Sequence, residues 1–337
     1  MAQKKVNVAV VGLGFMGVTH LRVYQKLHNA RIVAVCDPTR VPVNGVLGGV
    51  NGNIGDSSAI VLGKGVKVYR EFSELLADGD ADIVDICTPT RFHPAQVKAA
   101  MRAHKHVLCE KPLAQNTGDV KKILAAANGN GNFLMPAMCM RFWPGWAEMK
   151  KIVAEKVHGK VLAANFRRVS AKPAWGKSGV HSGGALYDLH IHDTDFVNYL
   201  FGRPQKVFST GVTDVRGNID HVVTQYIYDG GPKVCAEGSW LLAEGFNMAF
   251  TLHCERATID FDLARGAGAL QISRSGRKQR LLKPAGTDGY SAEIRYFVNC
   301  VARGEKPSVV TAHDCVTALE ILRAEEKSVR SGKVVKV

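Results

Sequence analysis

The tripeptide Glu110-Lys111-Pro112 closes the apolar run Val107-Leu108-Cys109. A lysine at the end of a buried strand can polarise a C–O bond or handle a proton, which is what a redox centre needs beside its hydride carrier. In an open doubly wound sheet, ligands lie beyond the carboxyl ends of the strands, so Lys111 should face whatever binds there. Much earlier, Gly12-Leu13-Gly14-Phe15-Met16-Gly17 follows an apolar run and opens a helical pattern. In this spacing Gly12 permits a tight turn, Gly14 lets backbone N–H groups approach a pyrophosphate, and Gly17 lets helix and strand pack closely. The phosphates would rest on the positive end of the helix, with Phe15 and Met16 in its first turn. Alone this pattern is also that of a structural turn. Here it stands between a strand and a helix, with an acid at the end of the next strand.

That acid is Asp37, which closes Arg31-Ile32-Val33-Ala34-Val35-Cys36. A carboxylate there accepts hydrogen bonds from the adenosine ribose hydroxyls and repels a 2′-phosphate, which favours NAD over NADP. Arg40 lies three residues on and could neutralise such a phosphate, so NAD is expected and NADP stays open.

A second constellation is Gly183-Gly184-Ala185-Leu186-Tyr187-Asp188-Leu189-His190-Ile191-His192-Asp193-Thr194-Asp195. A helix starting near Gly184 would put Asp188, His192 and Asp195 on one face. A histidine flanked by carboxylates is how a general acid–base group is oriented. A solvated polar helix face has the same pattern. Asp188, His190, His192, Asp193 and Asp195 are also metal-ligand types, but no complete ligand set can be assembled from one helix, so no metal is expected.

The elements that must position these residues fall into two grammars. Up to residue 137, short apolar strands alternate with helices, which predicts a parallel sheet covered on both faces. Residues 41–65 carry seven glycines and little periodicity, and read as a long flexible insertion. From residue 138 a helix over Pro144 to Lys156 leads into alternating runs, among them Val161–Arg168, Lys206–Thr213, His221–Tyr228, Lys233–Leu241, Met248–His253 and Thr258–Asp262. Tyr228-Asp229-Gly230-Gly231 is a hairpin signal. Two helices, Ser291 to Arg303 and about Thr311 to Ser331, end the chain. The expected fold is α/β: an N-terminal Rossmann domain (residues 1–137) with a doubly wound parallel sheet, then an α+β domain (138–337) with a large, mostly antiparallel open sheet.

Composition narrows the function classes. A chain of 337 residues with 46% hydrophobic and 22% charged residues can bury two cores. No apolar stretch approaches the roughly 18 residues of a membrane span. The eight cysteines lack paired spacing, and several sit in strand-like runs, as in a reducing compartment, so a cytoplasmic protein is expected. The net charge of +14 is scattered in doublets such as Lys121-Lys122 and Arg167-Arg168, with no basic tract of the kind that binds nucleic acid.

With the glycine turn, Ala34-Val35-Cys36-Asp37, Cys87-Thr88-Pro89, Glu110-Lys111-Pro112 and Gly183 to Asp195 quoted, the chain resembles the Gfo/Idh/MocA family of NAD(P)-dependent oxidoreductases over essentially its whole length. The resemblance implies that Lys111 sits between nicotinamide and substrate, that Asp188 binds a substrate hydroxyl and orients His192, and that His192 accepts the proton when an alcohol is oxidised. It also implies that Thr88 and Pro89 line the nicotinamide ribose, that Glu110 and His93 contact the cofactor region, and that a cis peptide precedes Pro112. Sugars, inositols and related polyols are the implied substrates, met in a cleft between the domains, and a homodimer or homotetramer through the large sheet is the implied assembly.

Candidate substrate-wall residues are His93, Arg141, Trp143, Arg168, Lys172, Trp175 and His181. Trp175 could stack on a sugar ring or serve as a core or interface residue, and Arg168 and Lys172 could bind an anionic group. The alternatives on this scaffold are an NAD-dependent glycoside hydrolase and a non-catalytic nucleotide-binding regulator. The insertion at 41–65 has no counterpart in the family pattern, and His190 stands where many members carry a small residue.

Overall fold

The structure is a computed structural model. It describes residues 5–50, 52, 58–127, 129, 131–177, 183–284, 286 and 288–337, with only the backbone at Trp175 and Lys177. In chain order the first elements are β1 (Val6–Val11), α1 (Phe15–Lys26), β2 (Ala30–Cys36), β3 (Val46–Leu47), β4 (Ile60–Val61), β5 (Lys67–Tyr69), α2 (Phe72–Asp78), β6 (Ile83–Ile86), α3 (His93–Arg102), β7 (His106–Glu110), α4 (Thr117–Ala127) and β8 (Leu134–Ala137). Then come α5 (Pro144–Ala154), β9 (Val161–Ala171), α6 (Ala174–Lys177), α7 (Ile191–Phe201), β10 (Lys206–Thr213), β11 (Ile219–Ile227), β12 (Lys233–Cys254), β13 (Thr258–Asp262), β14 (Leu270–Ser273), β15 (Arg280–Leu282), α8 (Gly289–Arg303), α9 (Ala312–Ser331) and β16 (Val335–Lys336).

These elements form two compact units: residues 1–143 with 287–316, and residues 144–286 with 317–337. The first unit holds a six-stranded sheet in the order β5-β2-β1-β6-β7-β8, with every neighbouring pair parallel. This is the strand order of a dinucleotide-binding fold, reversing direction between β1 and β6. Val8, Ala9 and Val10 of β1, Ile83 and Val84 of β6, and Val107, Leu108 and Cys109 of β7 have no exposed surface. Strands covered on both faces must be apolar at consecutive positions, which is why they read as runs rather than alternations.

Helix α8 lies outside the sequence-derived boundary, which placed everything after residue 137 in the second domain. It belongs to the first unit and packs on α1. Asp288 caps it by accepting the Ser291 N–H (2.7 Å), and Gly304 ends it in the left-handed conformation. Its buried stripe of Ile294, Phe297 and Val298 needs an apolar partner, but amphipathicity does not reveal which sheet provides one. The insertion also differs from expectation. Val46 pairs with Val61 and Leu47 with Ile60 in a small antiparallel ribbon, and Leu47, Ile60 and Leu62 are buried. Strands of two residues are too short to leave a periodic signal. Residues 51 and 53–57 of the insertion lie outside the described part.

The second unit is built on an eight-stranded sheet in which β15-β14-β13-β12-β11-β10-β16 follow one another and β9 pairs with β12. The sequence suggested two strands over 233–241 and 248–253, but β12 is one strand of 22 residues. Its register on β9 rises from Lys233–Ala163 to Ser239–Val169, then falls from Phe246–Ser170 to His253–Ala163, so its two halves flank β9. Gly245, at φ +80°, lies at the bend. Burial alternates along β9, β11 and β13, as expected of a sheet covered on one face only. The covered face packs against aromatic side chains: Trp146 of α5 meets Phe250 and Phe261 edge-on at centroid distances of 4.9 and 4.7 Å. Burying a side chain of this size contributes on the order of 2–3 kcal/mol.

Candidate active site

In the first unit the chain leaves β1 at Gly12, whose φ of +87° suits glycine. A Cβ on Gly12 would lie 2.8 Å from the Cys87 carbonyl group and the Thr88 nitrogen, and one on Gly17 would lie 1.9 Å from the Gly12 oxygen. The first and third glycines are therefore packing requirements. Gly14 is different: nothing lies within 4 Å of its would-be Cβ. It is the N-cap of α1, makes no side-chain cap, and is followed by no acidic residue in the first turn. The first N–H groups of a helix lack intrahelical acceptors and carry the positive end of its dipole. An open, uncapped, acid-free helix start is what a pyrophosphate requires, so these residues fit a dinucleotide.

Asp37 is already oriented for its part. Its Oδ2 accepts the Leu13 N–H (2.8 Å), and its Oδ1 accepts the N–H groups of Thr39 (2.9 Å) and Arg40 (2.8 Å) and the Thr39 hydroxyl (3.0 Å). Burial on its own would raise this carboxyl, but the N–H groups of Arg40, Leu13 and Thr39 outweigh it and hold the pKa below the ordinary range. The Arg40 guanidinium donates to the Gly48 carbonyl at 2.6 Å, so the insertion engages it.

Beyond β6, the Thr88 hydroxyl donates to Gln96 Oε1 at 2.5 Å, and Pro89 is exposed. His93 is buried, with Nε2 2.7 Å from the Thr88 carbonyl and Nδ1 2.9 Å from the Pro112 carbonyl. Both ring nitrogens face main-chain oxygens, so His93 ties two loops together rather than offering a ring nitrogen to a ligand. Burial lowers its pKa despite those carbonyls. Lys111 is half-buried at the end of β7, and its peptide bond to Pro112 is cis. The Lys111 N–H donates to Glu110 Oε2 at 3.0 Å.

Sequence reasoning missed a cluster directly beneath this turn. His20 of α1 is fully buried, with Nδ1 2.8 Å from Asp85 Oδ2 and Nε2 3.4 Å from Glu110 Oε1. The Cys87 thiol lies 3.4 Å from His20 Nδ1 and 3.5 Å from Asp85 Oδ1. His20, Asp85 and Cys87 thus bring three ligand-type atoms within 4.8 Å of one another. The 2.8 Å contact is a hydrogen-bonded Asp–His pair. Burial alone would lower the imidazole pKa, but the charge of Asp85 and the hydrogen bonds to Asp85 and Cys87 outweigh it and raise it well above 6.5. An aspartate inside the buried run Ile83-Val84-Asp85-Ile86 was the available signal, because a carboxylate there requires a partner.

In the second unit the segment before α7 is not the continuous α-helix that the spacing suggested. Leu186–His190 is wound as a π-helical turn, and α7 begins at Ile191. Asp188 and His192 are half-buried, and Asp195 is buried. Gly183 and Gly184 both have positive φ, and a Cβ on Gly184 would lie 2.5 Å from the Ile219 oxygen, so this turn runs hard against β11.

Buried polar contacts fasten α7 to the sheet. Arg168 of β9 reaches Asp193 through Nε–Oδ2 (2.8 Å) and Nη2–Oδ1 (3.0 Å), both residues being buried. His190, Thr194, Tyr226 and Glu325 form a second buried group, with Tyr226 Oη 3.1 Å from Thr194 Oγ1 and 3.3 Å from His190 Nε2. His190 Nε2 is also 3.5 Å from Glu325 Oε1.

Several candidate substrate residues are therefore engaged within the fold. The Arg168 guanidinium is held by Asp193. Lys172 is paired with Asp214 and Asp220, which raise its pKa. Arg141 donates to the Val309 carbonyl (2.8 Å) and faces Asp314 at 3.3 Å. Trp143 is 9% exposed and meets Tyr290 edge-on. The Trp175 side chain and His181 lie outside the described residues. Among the described residues, no helix is long and apolar enough to cross a membrane.

Both halves of the chain match known proteins. Residues 6–138 match the oxidoreductase family with an NAD-binding Rossmann fold, and residues 146–260 match the GFO/IDH/MocA C-terminal domain. Myo-inositol 2-dehydrogenase of Thermotoga maritima is 26% identical over 98% of this chain and 98% of its own. The NAD-dependent scyllo-inositol 2-dehydrogenase of Bacillus subtilis is 25% identical over 99% and 97%. The aldose–aldose oxidoreductase of Caulobacter crescentus, solved with glycerol, superposes with a TM-score of 0.81 at 21% identity, covering 99% of this chain and 100% of its own. A parallel sheet with an uncapped glycine turn, a following open sheet, and matches to both family domains have one common account: the chain belongs to the Gfo/Idh/MocA family of NAD-dependent oxidoreductases.

Proposed function

We propose that the protein oxidises a secondary hydroxyl of a cyclic polyol or sugar, with Lys111 and His192 acting on the same hydroxyl. The observation that carries this reading is a half-buried lysine held at the end of β7, in the unit whose glycine turn is open for a dinucleotide. The similarity to two inositol dehydrogenases across nearly the full chain supports the substrate class.

Gly12, Gly14 and Gly17 would hold the pyrophosphate and Asp37 the ribose, and the bound nicotinamide supplies the hydride acceptor. The protein's own side chains handle the oxygen and its proton. As the C–H bond breaks, Lys111 donates a hydrogen bond to the substrate oxygen, and His192 takes the hydroxyl proton. Asp188 orders that hydroxyl and the imidazole. The half-buried state of Asp188 and His192 suits groups that must meet a ligand while staying oriented. Engagement of Arg40 by the Gly48 carbonyl, beside an ionised Asp37, favours NAD over NADP.

The test is turnover of NAD⁺ with myo-inositol, scyllo-inositol and aldoses, followed by NADH absorbance. Lys111→Ala and His192→Ala should each lower kcat by about 10²–10⁴-fold while NAD⁺ affinity stays within about threefold. Unchanged activity in both variants would sink the assignment. The exposed face of the large sheet, which carries Leu162 and Val223, is proposed as a homodimer surface. A monomer by light scattering at micromolar concentration would remove it.

A further inference from the structure

His20, Asp85 and Glu110 come from α1, β6 and β7, yet they form one buried chain of ionisable groups. Asp85 and His20 have no exposed surface, and Glu110 is 7% exposed. Burying a carboxylate in a parallel strand costs several kcal/mol unless an opposite charge compensates it. His20 is the group placed to do so, because its two ring nitrogens face the two acids. Tyr24, one turn along α1, lies against Asp85, and its phenol is pushed up by burial and by that charge. Cys87 faces the same imidazole, and burial holds it as a thiol. The charge of Glu293, on α8, also reaches Tyr24.

The consequence lies at the far end of the chain. With Oε1 turned to His20, Glu110 presents Oε2 to the Lys111 N–H at 3.0 Å. Oε2 thus accepts from the Lys111 peptide while Oε1 lies in ion-pair range of the imidazole at 3.4 Å, so one carboxylate links the His20 ring to the peptide from which the Lys111 side chain departs. We propose that His20 is a positioning residue for Lys111, acting through Glu110, so that the helix that opens the dinucleotide site also sets the orientation of the lysine. This extends the dehydrogenase reading and rests on it for the role of Lys111. Asp85 anchors the imidazole from the opposite side, and a ring rotation that released Glu110 would break the 2.8 Å contact to Asp85 at the same time.

Two readouts test the link. The first is a cycle of His20→Gln, Glu110→Gln and the double variant, with NAD⁺ and myo-inositol. His20→Gln should lower kcat about tenfold with the polyol KM within about threefold, and the double variant should be no slower than Glu110→Gln alone, because the two act on one path. The second needs no turnover: the rate at which acetic anhydride acetylates Lys111, read by mass spectrometry, should change severalfold in His20→Gln. Multiplying losses in the cycle would overturn the inference, as would a His20→Gln protein with altered melting temperature but wild-type kcat and wild-type Lys111 acetylation. If His20→Gln does not fold, the isosteric Asp85→Asn takes its place in both measurements, and the same results support or overturn the link. Activity that survives Lys111→Ala would count against the dehydrogenase reading instead, and the acetylation rate would still decide whether His20 controls the lysine.

Discussion

The first unit sets its lysine beside a buried acid, Glu110 next to Lys111; the second sets its histidine beside another, Asp193 next to His192. In both, the buried residue is anchored to a distant strand or helix while its neighbour stays half-exposed. The anchors differ in kind. Asp193 is gripped bidentately by Arg168, at 2.8 and 3.0 Å, through the rigid planar fork of a guanidinium. Glu110 is approached by an imidazole at 3.4 Å, and that imidazole owes its charge to Asp85. One device clamps a helix to a sheet; the other passes an orientation along a series of adjustable groups. Stability should therefore be concentrated in the arginine pair, and control of chemistry in the histidine series.

The sharpest way to break this contrast is Asp193→Ala. It leaves the Arg168 guanidinium buried without its carboxylate and should cost ~3–5 kcal/mol in denaturant unfolding, with NAD⁺ affinity unchanged. Replacing the whole pair by Arg168→Met with Asp193→Leu should recover most of that loss. A cost below ~1 kcal/mol for Asp193→Ala would make the clamp incidental.

A smaller effect is expected at Gly238, on β12. A Cβ there would lie 2.6 Å from His190 Cβ and 2.8 Å from its Nδ1, so the strand and the π-turn meet with no space for a methyl group. Gly238→Ala should cost ~1–3 kcal/mol, and adding His190→Gly, which removes the Cβ it would meet, should relieve part of it. Additive costs would show that the two positions do not meet.

The smallest effect should be that of Asp37→Asn, and it should depend on pH. The folded carboxyl titrates below its ordinary value, so its contribution is full above the unfolded pKa of about 4 and fades as pH falls through the lowered folded value. The stability gap between wild type and variant should narrow on acidification below about pH 4. A gap that widened would show that the N–H groups of Leu13, Thr39 and Arg40 do not favour the ionised form.

What could be read in advance was local. Gly12 to Gly17, Asp37 and Glu110-Lys111-Pro112 are contiguous, and each element's physical requirement falls on consecutive residues. The His20–Asp85 contact spans 65 positions and the Arg168–Asp193 contact 25, so no window of sequence holds either. The π-turn at Leu186–His190 escaped because its residues suit an α-helix equally well, and contact with β11 and β12 accompanies the wider winding. The return of α8 to the first unit escaped because an apolar stripe states that a partner exists without stating which one.

The placement of β9 has a consequence for how the second unit is made. Both of its edges are occupied by one later strand, the two halves of β12. As the chain leaves the ribosome, β9 therefore waits about 60 residues before its first neighbour appears, and longer for its second. Through that interval its backbone donors and acceptors are open on both sides, the condition in which strands pair with other chains. The most interior strand of the finished sheet is thus the one left longest without company during synthesis.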